Sequence, residues 1–294
     1  MFTTVQDLGR WHFQSRGVPV GGALDWYSHR LANGLVGNHR SMAGLEITLI
    51  GPHLRFDQGA TVAVTGAPFR LTLNDVEADM NRAIDVEPGA VLKFGERVEG
   101  ARAYLAVAGG IDVPSVLGSR STHALTRMGG HEGRALKAGD VLPIAAVSGT
   151  GLRPRKVADS FLSQRLVDGA ATLRVIAADD ARFTQIASNR FRVSPQSDRM
   201  GYRLEGGSIS DRPQGNLISI AVPTGAIQLP PTGQPILLMN DHATTGGYAI
   251  AATVITADLP LAGQLAPGDS VAFEACSLDT ADAARRRMEA ALGA

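Results

Sequence analysis

Leu265-Ala266-Pro267-Gly268-Asp269-Ser270-Val271-Ala272-Phe273 reads as a turn that feeds a strand. A hydrophobe leads into a turn whose glycine supplies a positive φ, and apolar residues then alternate. The same pattern recurs at Val86-Glu87-Pro88-Gly89-Ala90-Val91-Leu92-Lys93-Phe94 and at Leu136-Lys137-Ala138-Gly139-Asp140-Val141-Leu142-Pro143-Ile144. Between these copies lie short β-branched or apolar runs, among them Thr61–Thr65, Ala103–Val107, Thr172–Ile176 and Ala252–Thr256. Short strands with turn residues every ten or so positions predict a mainly β chain, built as sandwiches or barrels. Two copies of the pattern close what look like the two halves of the sequence. We therefore expect two β lobes, at residues 1–150 and 157–294, with Gly149–Lys156 as linker.

Helices are few. Ala23 to Val36 carries Leu24, Tyr27, Leu31 and Leu35 at helical spacing, with Gly37-Asn38 as a stop. Asp179-Asp180 is placed to cap a short helix through Phe183 and Ile186. The tail from Asp279 to Leu292 puts Ala281, Ala284, Met288 and Ala291 on one face, and its Arg285-Arg286-Arg287 run reads as a solvated face.

The 294 residues are 44% hydrophobic and hold 28 basic against 28 acidic side chains, a balance that argues against a nucleic-acid binder. No stretch of 18 apolar residues is present, so nothing is expected to span a membrane. The start, Met1 to Asp7, has neither a basic n-region nor an apolar run, which makes the cytoplasm the expected location. Cys276 is the single cysteine, expected as a buried structural thiol, and it excludes a disulfide framework. Lysine occurs only at Lys93, Lys137 and Lys156, which leaves lysine chemistry few candidates. Gly118-Ser119-Arg120-Ser121-Thr122 lacks the glycine loop and lysine of a phosphate-binding P-loop. No two of the seven histidines have the helical spacing of metal ligands, so no metal site is expected.

Three polar, glycine-rich blocks are too dense for ordinary turns. The first runs from Thr4-Val5-Gln6-Asp7-Leu8-Gly9-Arg10 to Gly17–Asp25. The second is Gly109–His123, and includes Arg120, Ser121 and Thr122. The third runs from Ser194-Pro195-Gln196-Ser197-Asp198-Arg199-Met200-Gly201-Tyr202-Arg203-Leu204 through Gly225–Pro231 to Asp241–Tyr248. Arginine forks bind carboxylates bidentately, which makes Arg120, Arg199 and Arg203 candidate anchors for an acidic ligand. Gln228 can donate to and accept from a lactam or ureido group. Strand alternation aims it away from Ile227 and Leu229, into a cleft. Asp241 is a candidate base or orienting group, and the Tyr248 ring could close over a ligand. Ser197, Tyr202, Thr245, Gly246 and Gly247 complete the candidate substrate-binding set.

These blocks resemble the biotin-dependent carboxyltransferase or allophanate hydrolase subunit 2 family, which includes KipA-like proteins and the C-type component of bacterial 5-oxoprolinase. TVQDLGR, GVPVGGALD with LANGLVGN, GSRSTH, GGHEGRALKAGD, SDRMGYRLEG, GAIQLP and TTGGY carry the resemblance over nearly the whole chain. It implies two cyclophilin-like β-barrel domains with a few short helices. It implies a KipI-like or B-type partner in a heterodimer or heterotetramer, and in 5-oxoprolinases an A-type ATPase as well. Such a complex opens 5-oxoproline to glutamate at the expense of ATP; this chain would be inactive alone and bind no cofactor itself. Two alternatives accompany it: a KipA-like regulatory binding protein, and a carboxyltransferase component of a biotin-dependent carboxylase. No biotin-attachment motif is visible, so biotin would arrive on another chain. Where the family often has arginine and glutamine after the aspartate of the third block, His242 and Ala243 follow Asp241.

Overall fold

A computed structural model describes residues 2–146, 166–207, 209 and 218–292. The expected linker at Gly149–Lys156 lies outside the described residues. The chain divides into two compact units, one of Met1–Trp11 with Gly21–Ser163 and one of His12–Val20 with Gln164–Ala294.

Among the described residues the first unit holds nine strands: β1 (Phe2–Gln6), β2 (Gly44–Thr48), β3 (His53–Arg55), β4 (Ala60–Gly66), β5 (Phe69–Leu73), β6 (Val76–Ala78), β7 (Ala83–Val86), β8 (Val91–Arg97) and β9 (Arg102–Val107). They form two antiparallel sheets, β1-β2-β9-β4-β7 and β3-β8-β5-β6. Both sheets bury one common core, to which Val5, Ile47, Val64 and Leu105 come from the first sheet and Phe69, Leu71, Leu92 and Phe94 from the second. Burying a side chain of this size stabilises by roughly 1.5–3 kcal/mol, which is why the alternating runs settle with their apolar sides inward.

Helix α1 (Trp26–Leu35) packs on β4 and β9. It begins at Trp26 rather than at Ala23 because Asp25 is its cap. Asp25 Oδ1 accepts the Ser28 N–H at 2.8 Å and its Oδ2 accepts the Ser28 hydroxyl at 2.6 Å. Ala23 and Leu24 are buried ahead of the cap, in a segment tied to a polar chain. Leu24 N and the Tyr104 hydroxyl both donate to Glu46 Oε2, at 2.9 and 2.8 Å, and the Asp25 N–H donates to Tyr104 Oη at 2.8 Å. Glu46 is fully buried, so these bonds replace the water its carboxylate lost.

The second unit is a closed barrel of β10 (Ala170–Ala177), β11 (Phe191–Val193), β12 (Gly201–Glu205), β14 (Ala226–Leu229), β15 (Ile236–Leu238), β17 (Ala249–Val254) and β18 (Ser270–Ala275), in the order β10-β17-β14-β15-β12-β11-β18. Parallel pairing of β10 with β18 closes it, from Ala170 opposite Ser270 to Val175 opposite Ala275. A separate two-stranded ribbon joins β13 (Ile220–Ala221) to β16 (Thr245–Gly246). The expected cap at Asp179 is present. Asp179 accepts the Arg182 N–H at the start of α2 (Asp180–Ala187). After the short α3 (Leu259–Gly263), Ser277 caps α4 (Leu278–Ala291).

Helix α4 packs Ala281, Ala284 and Met288 against Ile255 and Ala257. Cys276 is partly buried rather than fully so, since it sits on the fringe of this cluster, between the end of β18 and the α4 cap. Burial still pushes its thiol above the usual range. Arg174 makes a bidentate pair with Asp258, at 2.6 and 3.0 Å, which ties β10 to the turn before α3. No helix of the described residues is long and apolar enough to cross a membrane.

His29 gives the first unit a pH response. Its Nε2–H donates to Gln6 O at 3.2 Å, and Nδ1 is buried with no partner among the described residues. Burial pushes the imidazole below its ordinary range, and the Asp7 and Glu46 carboxylates only partly oppose this. The unfolded chain therefore binds the proton more readily than the folded one. Stability is full above about pH 6.5, the ordinary histidine value, and falls as the pH drops from there toward the lower folded value. We expect the melting midpoint to drop between pH 7.5 and pH 5.5, and His29→Gln to flatten that slope in a thermal scan. An unchanged slope in the variant would assign the acid sensitivity elsewhere.

Candidate functional site

The barrel's outer face carries the candidate site. Across β12, β15 and β14 the register sets Tyr202, Leu237 and Ile227 in one row and Arg203, Ile236 and Gln228 in the next. Alternation sends the first row into the barrel, where all three side chains are buried. The second row forms the floor of a cavity of about 240 Å³, together with Gly201 and Leu238. The sequence segment before β12 supplies one wall, with Gln196, Asp198 and Met200. Val222, His242, Ala243 and Thr245 supply the other, from the ribbon and the turn before it. The volume lies below the usual range for drug-sized ligands, which fits a small metabolite.

Buried electrostatics fix those walls. Arg199 Nε donates to Asp241 Oδ2 at 2.9 Å and Nη2 to Oδ1 at 3.0 Å, with residue exposures of only 8% and 5%. Two backbone bonds run beside the pair, Asp241 N to Arg199 O at 2.9 Å and Met239 N to Met200 O at 3.0 Å. A bidentate fork between planar groups is directional as well as strong, so it holds the two loops in one relation. Asp198 shapes the first wall by accepting the Met200 N–H at 2.8 Å.

Of the six polar residues that line the cavity, Gln196, Asp198, Arg203, Gln228, His242 and Thr245, three differ in character. Arg203 is exposed, and its guanidinium has no ion-pair partner among the described residues. Gln228 is 6% exposed, and its Nε2 is buried with no partner among the described residues. Its pairing with β17 shifts register between Ile227 and Gln228, with Ala251 the extra residue on β17. His242 meets Ala243 O through Nδ1 at 2.7 Å and the Thr224 hydroxyl through Nε2 at 3.2 Å. A carbonyl only accepts, so Nδ1 carries the hydrogen and Nε2 accepts from Thr224. Burial lowers the His242 pKa, which keeps the ring neutral at pH 7. The site thus offers a cation, a carboxamide and a neutral imidazole around the apolar Ile236 and Leu238, with the Asp198 carboxylate in one wall. That set suits a small ligand with one anionic end and one amide or ureido end. Among the described residues no three His, Cys, Asp or Glu side chains gather as a metal site.

The structure divides the sequence candidates between the two units. Arg203, Gln228 and Thr245 line the cavity. Arg199 holds Asp241 rather than the cavity, and Asp241 acts as an orienting group with both oxygens engaged. The Ser197 hydroxyl accepts the Arg203 N–H at 3.1 Å, beneath the floor's edge. Tyr202 points into the barrel core. Gly246 borders Gln228, while Gly247 and Tyr248 fall outside the cavity lining and the Tyr248 ring is 46% exposed.

Arg120, Ser121 and Thr122 belong to the first unit, where they tie loops together. Arg120 donates to Val113 O at 2.7 Å and to Asp112 at 3.0 Å. Ser121 Oγ donates to Asp7 Oδ1 at 2.5 Å and Thr122 Oγ1 to Val5 O at 2.9 Å, both fully enclosed. Asp7 also accepts from Ser119 Oγ at 2.6 Å and Arg120 N at 2.6 Å, so it is the hub joining the first and second blocks.

Sequence reasoning missed Gln196, Asp198, Met200, Val222, Ile236 and Leu238 as lining residues. The first three stood in the third block beside the arginines. The last three carry no signal beyond strand propensity. His242 stood out only as a departure from the family pattern.

Over residues 16–275 the sequence matches the family described as carboxyltransferase domain, subdomain A and B. The chain is similar to the C component of 5-oxoprolinase from Escherichia coli (strain K12), 38% identical over 294 residues, 98% of this chain and 93% of that protein. It is 35% identical over 318 residues to the urea amidolyase of Lachancea kluyveri, covering 99% of this chain and 17% of that one. The crystal structure of the K. lactis urea amidolyase matches it with a TM-score of 0.93 at 33% identity, over 99% of this chain and 19% of that chain. The chain therefore spans nearly the whole of the first relative and less than a fifth of the other two.

The Arg199–Asp241 pair makes a stability prediction. Asp241→Ala removes the bidentate partner of a buried guanidinium and should cost more in urea unfolding than the roughly 1 kcal/mol of an exposed pair. Replacing both partners by apolar residues, as in Arg199→Met with Asp241→Leu, should cost far less. A single-variant loss below about 1 kcal/mol, the scale of an exposed pair, would show that the pair does not hold the walls.

Proposed function

The chain belongs to the carboxyltransferase domain family, subdomains A and B, and on that premise we propose that it serves as the C-type component of a 5-oxoprolinase-like or allophanate-hydrolase-like complex. The substrate in this reading is a small cyclic amide or ureido compound. With an A-type ATPase present, the reaction is the ATP-dependent opening of 5-oxoproline to glutamate. The partner is a KipI-like or B-type protein, in a heterodimer or heterotetramer, and the location is the cytoplasm. Both units are read as variants of one cyclophilin-like barrel.

One observation supports this above the others: the row Arg203–Ile236–Gln228. Two strand spacings, about 10 Å, separate the outer backbones, and both long side chains reach toward the space above Ile236. A guanidinium at one end and a carboxamide at the other match a carboxylate and a lactam on one small ring. Arg203 would bind the carboxylate as a fork, and Gln228 would orient the amide by donating to its oxygen or accepting from its nitrogen. Ile236 and Leu238 would cover the ring's apolar carbons. Neutral His242 stands beside them as a hydrogen-bonding group. The chain has no P-loop, so ATP is assigned to another component of the complex.

A second reading is favoured by the close likeness to urea amidolyase. In it the same cavity serves carboxyl transfer, with biotin delivered on another chain. Gln228 would then face a ureido group instead of a lactam.

Reconstitution distinguishes these readings. Co-expression with A- and B-type proteins should give one size-exclusion peak and ATP-dependent release of glutamate from 5-oxoproline. Gln228→Ala and Arg203→Ala should each weaken ligand binding or activity by about 1–3 kcal/mol, with little change in melting temperature. The chain alone should release no phosphate from ATP. Carboxylation of a ureido acceptor dependent on a biotinylated carrier, without glutamate release, would favour the second reading. Full activity of the Gln228→Ala complex would reject the site.

A further inference from the structure

Gln228 lines the cavity from β14. Its backbone is fixed by pairing with Ile236 on one side and Ile250 on the other. Its side chain is another matter, because Nε2 is buried without a hydrogen-bond partner among the described residues. What lies against that atom is Gly246, in β16 of the two-stranded ribbon. A Cβ built on Gly246 would stand 2.5 Å from Gln228 Nε2, 3.6 Å from Gln228 Cδ and 3.5 Å from Val222 Cγ1. Carbon and nitrogen cannot approach to 2.5 Å without overlap, so any side chain at 246 must displace the carboxamide.

The glycine is not needed for its backbone. Gly246 is absent from the glycines with positive φ, so alanine can adopt the same dihedrals without strain. The ribbon itself pairs Ile220 with Gly246 and Ala221 with Thr245, and Val222 N donates to Thr244 O at 3.1 Å. None of these bonds involves a side chain at 246. The nearest atoms all belong to the side chains of Gln228 and Val222, and the 2.5 Å overlap falls on the free end of Gln228.

We propose that Gly246 is the positioning residue of this pocket: the missing Cβ sets where the Gln228 carboxamide lies, and so which amide-bearing ligand the cavity accepts. This rests on the reading of Gln228 as the ligand's amide partner. Gly246 touches no ligand atom and acts only through Gln228.

The Gln228 side-chain amide gives a readout independent of activity. In a ¹⁵N-labelled chain its NH₂ pair is assigned by its loss in Gln228→Glu. Gly246→Ala should shift that pair while the melting midpoint stays within about 3 °C. Titration with 5-oxoproline should show an affinity loss of about tenfold, a difference of 1.4 kcal/mol. The loss should match that of Gln228→Ala, and the double variant should lose nothing further. Gln228→Asn in the Gly246→Ala background removes one methylene where one methyl was added, and should recover part of the affinity. An unmoved NH₂ pair in Gly246→Ala, or affinity losses that simply add, would overturn the proposal. If the NH₂ pair moves while the wild-type chain fails to bind 5-oxoproline, the positioning role stands and the ligand class is rejected.

Discussion

The buried pair of Arg199 and Asp241 is the constraint on which the candidate site depends. The residues lie 42 positions apart in the chain, and each sits in a loop with no regular structure of its own. Loops of this kind ordinarily sample many conformations, and ordering each residue costs about 1–2 kcal/mol. A bidentate fork between two nearly enclosed groups removes much of that freedom, because any other arrangement would strand a charge away from water. With the pair in place, Met200 and His242 stand on opposite sides of one cavity. The barrel strands below supply the floor at a register that hydrogen bonding sets independently.

The first unit uses similar polar residues for another purpose. Asp7 gathers hydroxyls and backbone N–H groups from Ser119, Arg120 and Ser121, and Glu46 gathers Tyr104 and Leu24. These carboxylates are buried, so each bond replaces hydration that would otherwise be missing. The outcome is a set of loops stapled to a sheet, with the staple atoms enclosed. An enclosed hydroxyl already bonded to a carboxylate or a carbonyl is a poor ligand for anything else. That separates Ser121 and Thr122 from Thr245, which shares their chemistry and faces the cavity.

In the proposed site, affinity and selectivity would come from different groups. Arg203 carries a charge at an exposed position, where solvent screens it and its attraction for an anion is broad. Gln228 is enclosed, so a wrong partner there leaves a polar group unsatisfied at a cost of about 1–3 kcal/mol. Neutral His242, hydrogen-bonded on both sides, adds a directional group without adding charge. A ligand would be drawn by the arginine and selected by the amide.

Several features were legible in the sequence because their causes are local. The turn-and-strand pattern around Gly268, the caps at Asp179 and the helix from Trp26 depend on residues within a few positions of one another. The outward aim of Gln228 followed from strand alternation, which is also local. Family membership was legible in the blocks, each a short run in fixed order. The tertiary structure alone decided which polar blocks knot a fold and which line a cavity, since a serine in a turn reads the same in either role. It also decided that Arg199 meets Asp241, that Ile236 separates Arg203 from Gln228, and that Gly246 lies against the Gln228 amide. Those relations depend on strand register and barrel closure, which bring together residues that sequence distance keeps apart. Propensity and periodicity carry no record of them, because each describes one segment and these contacts join two.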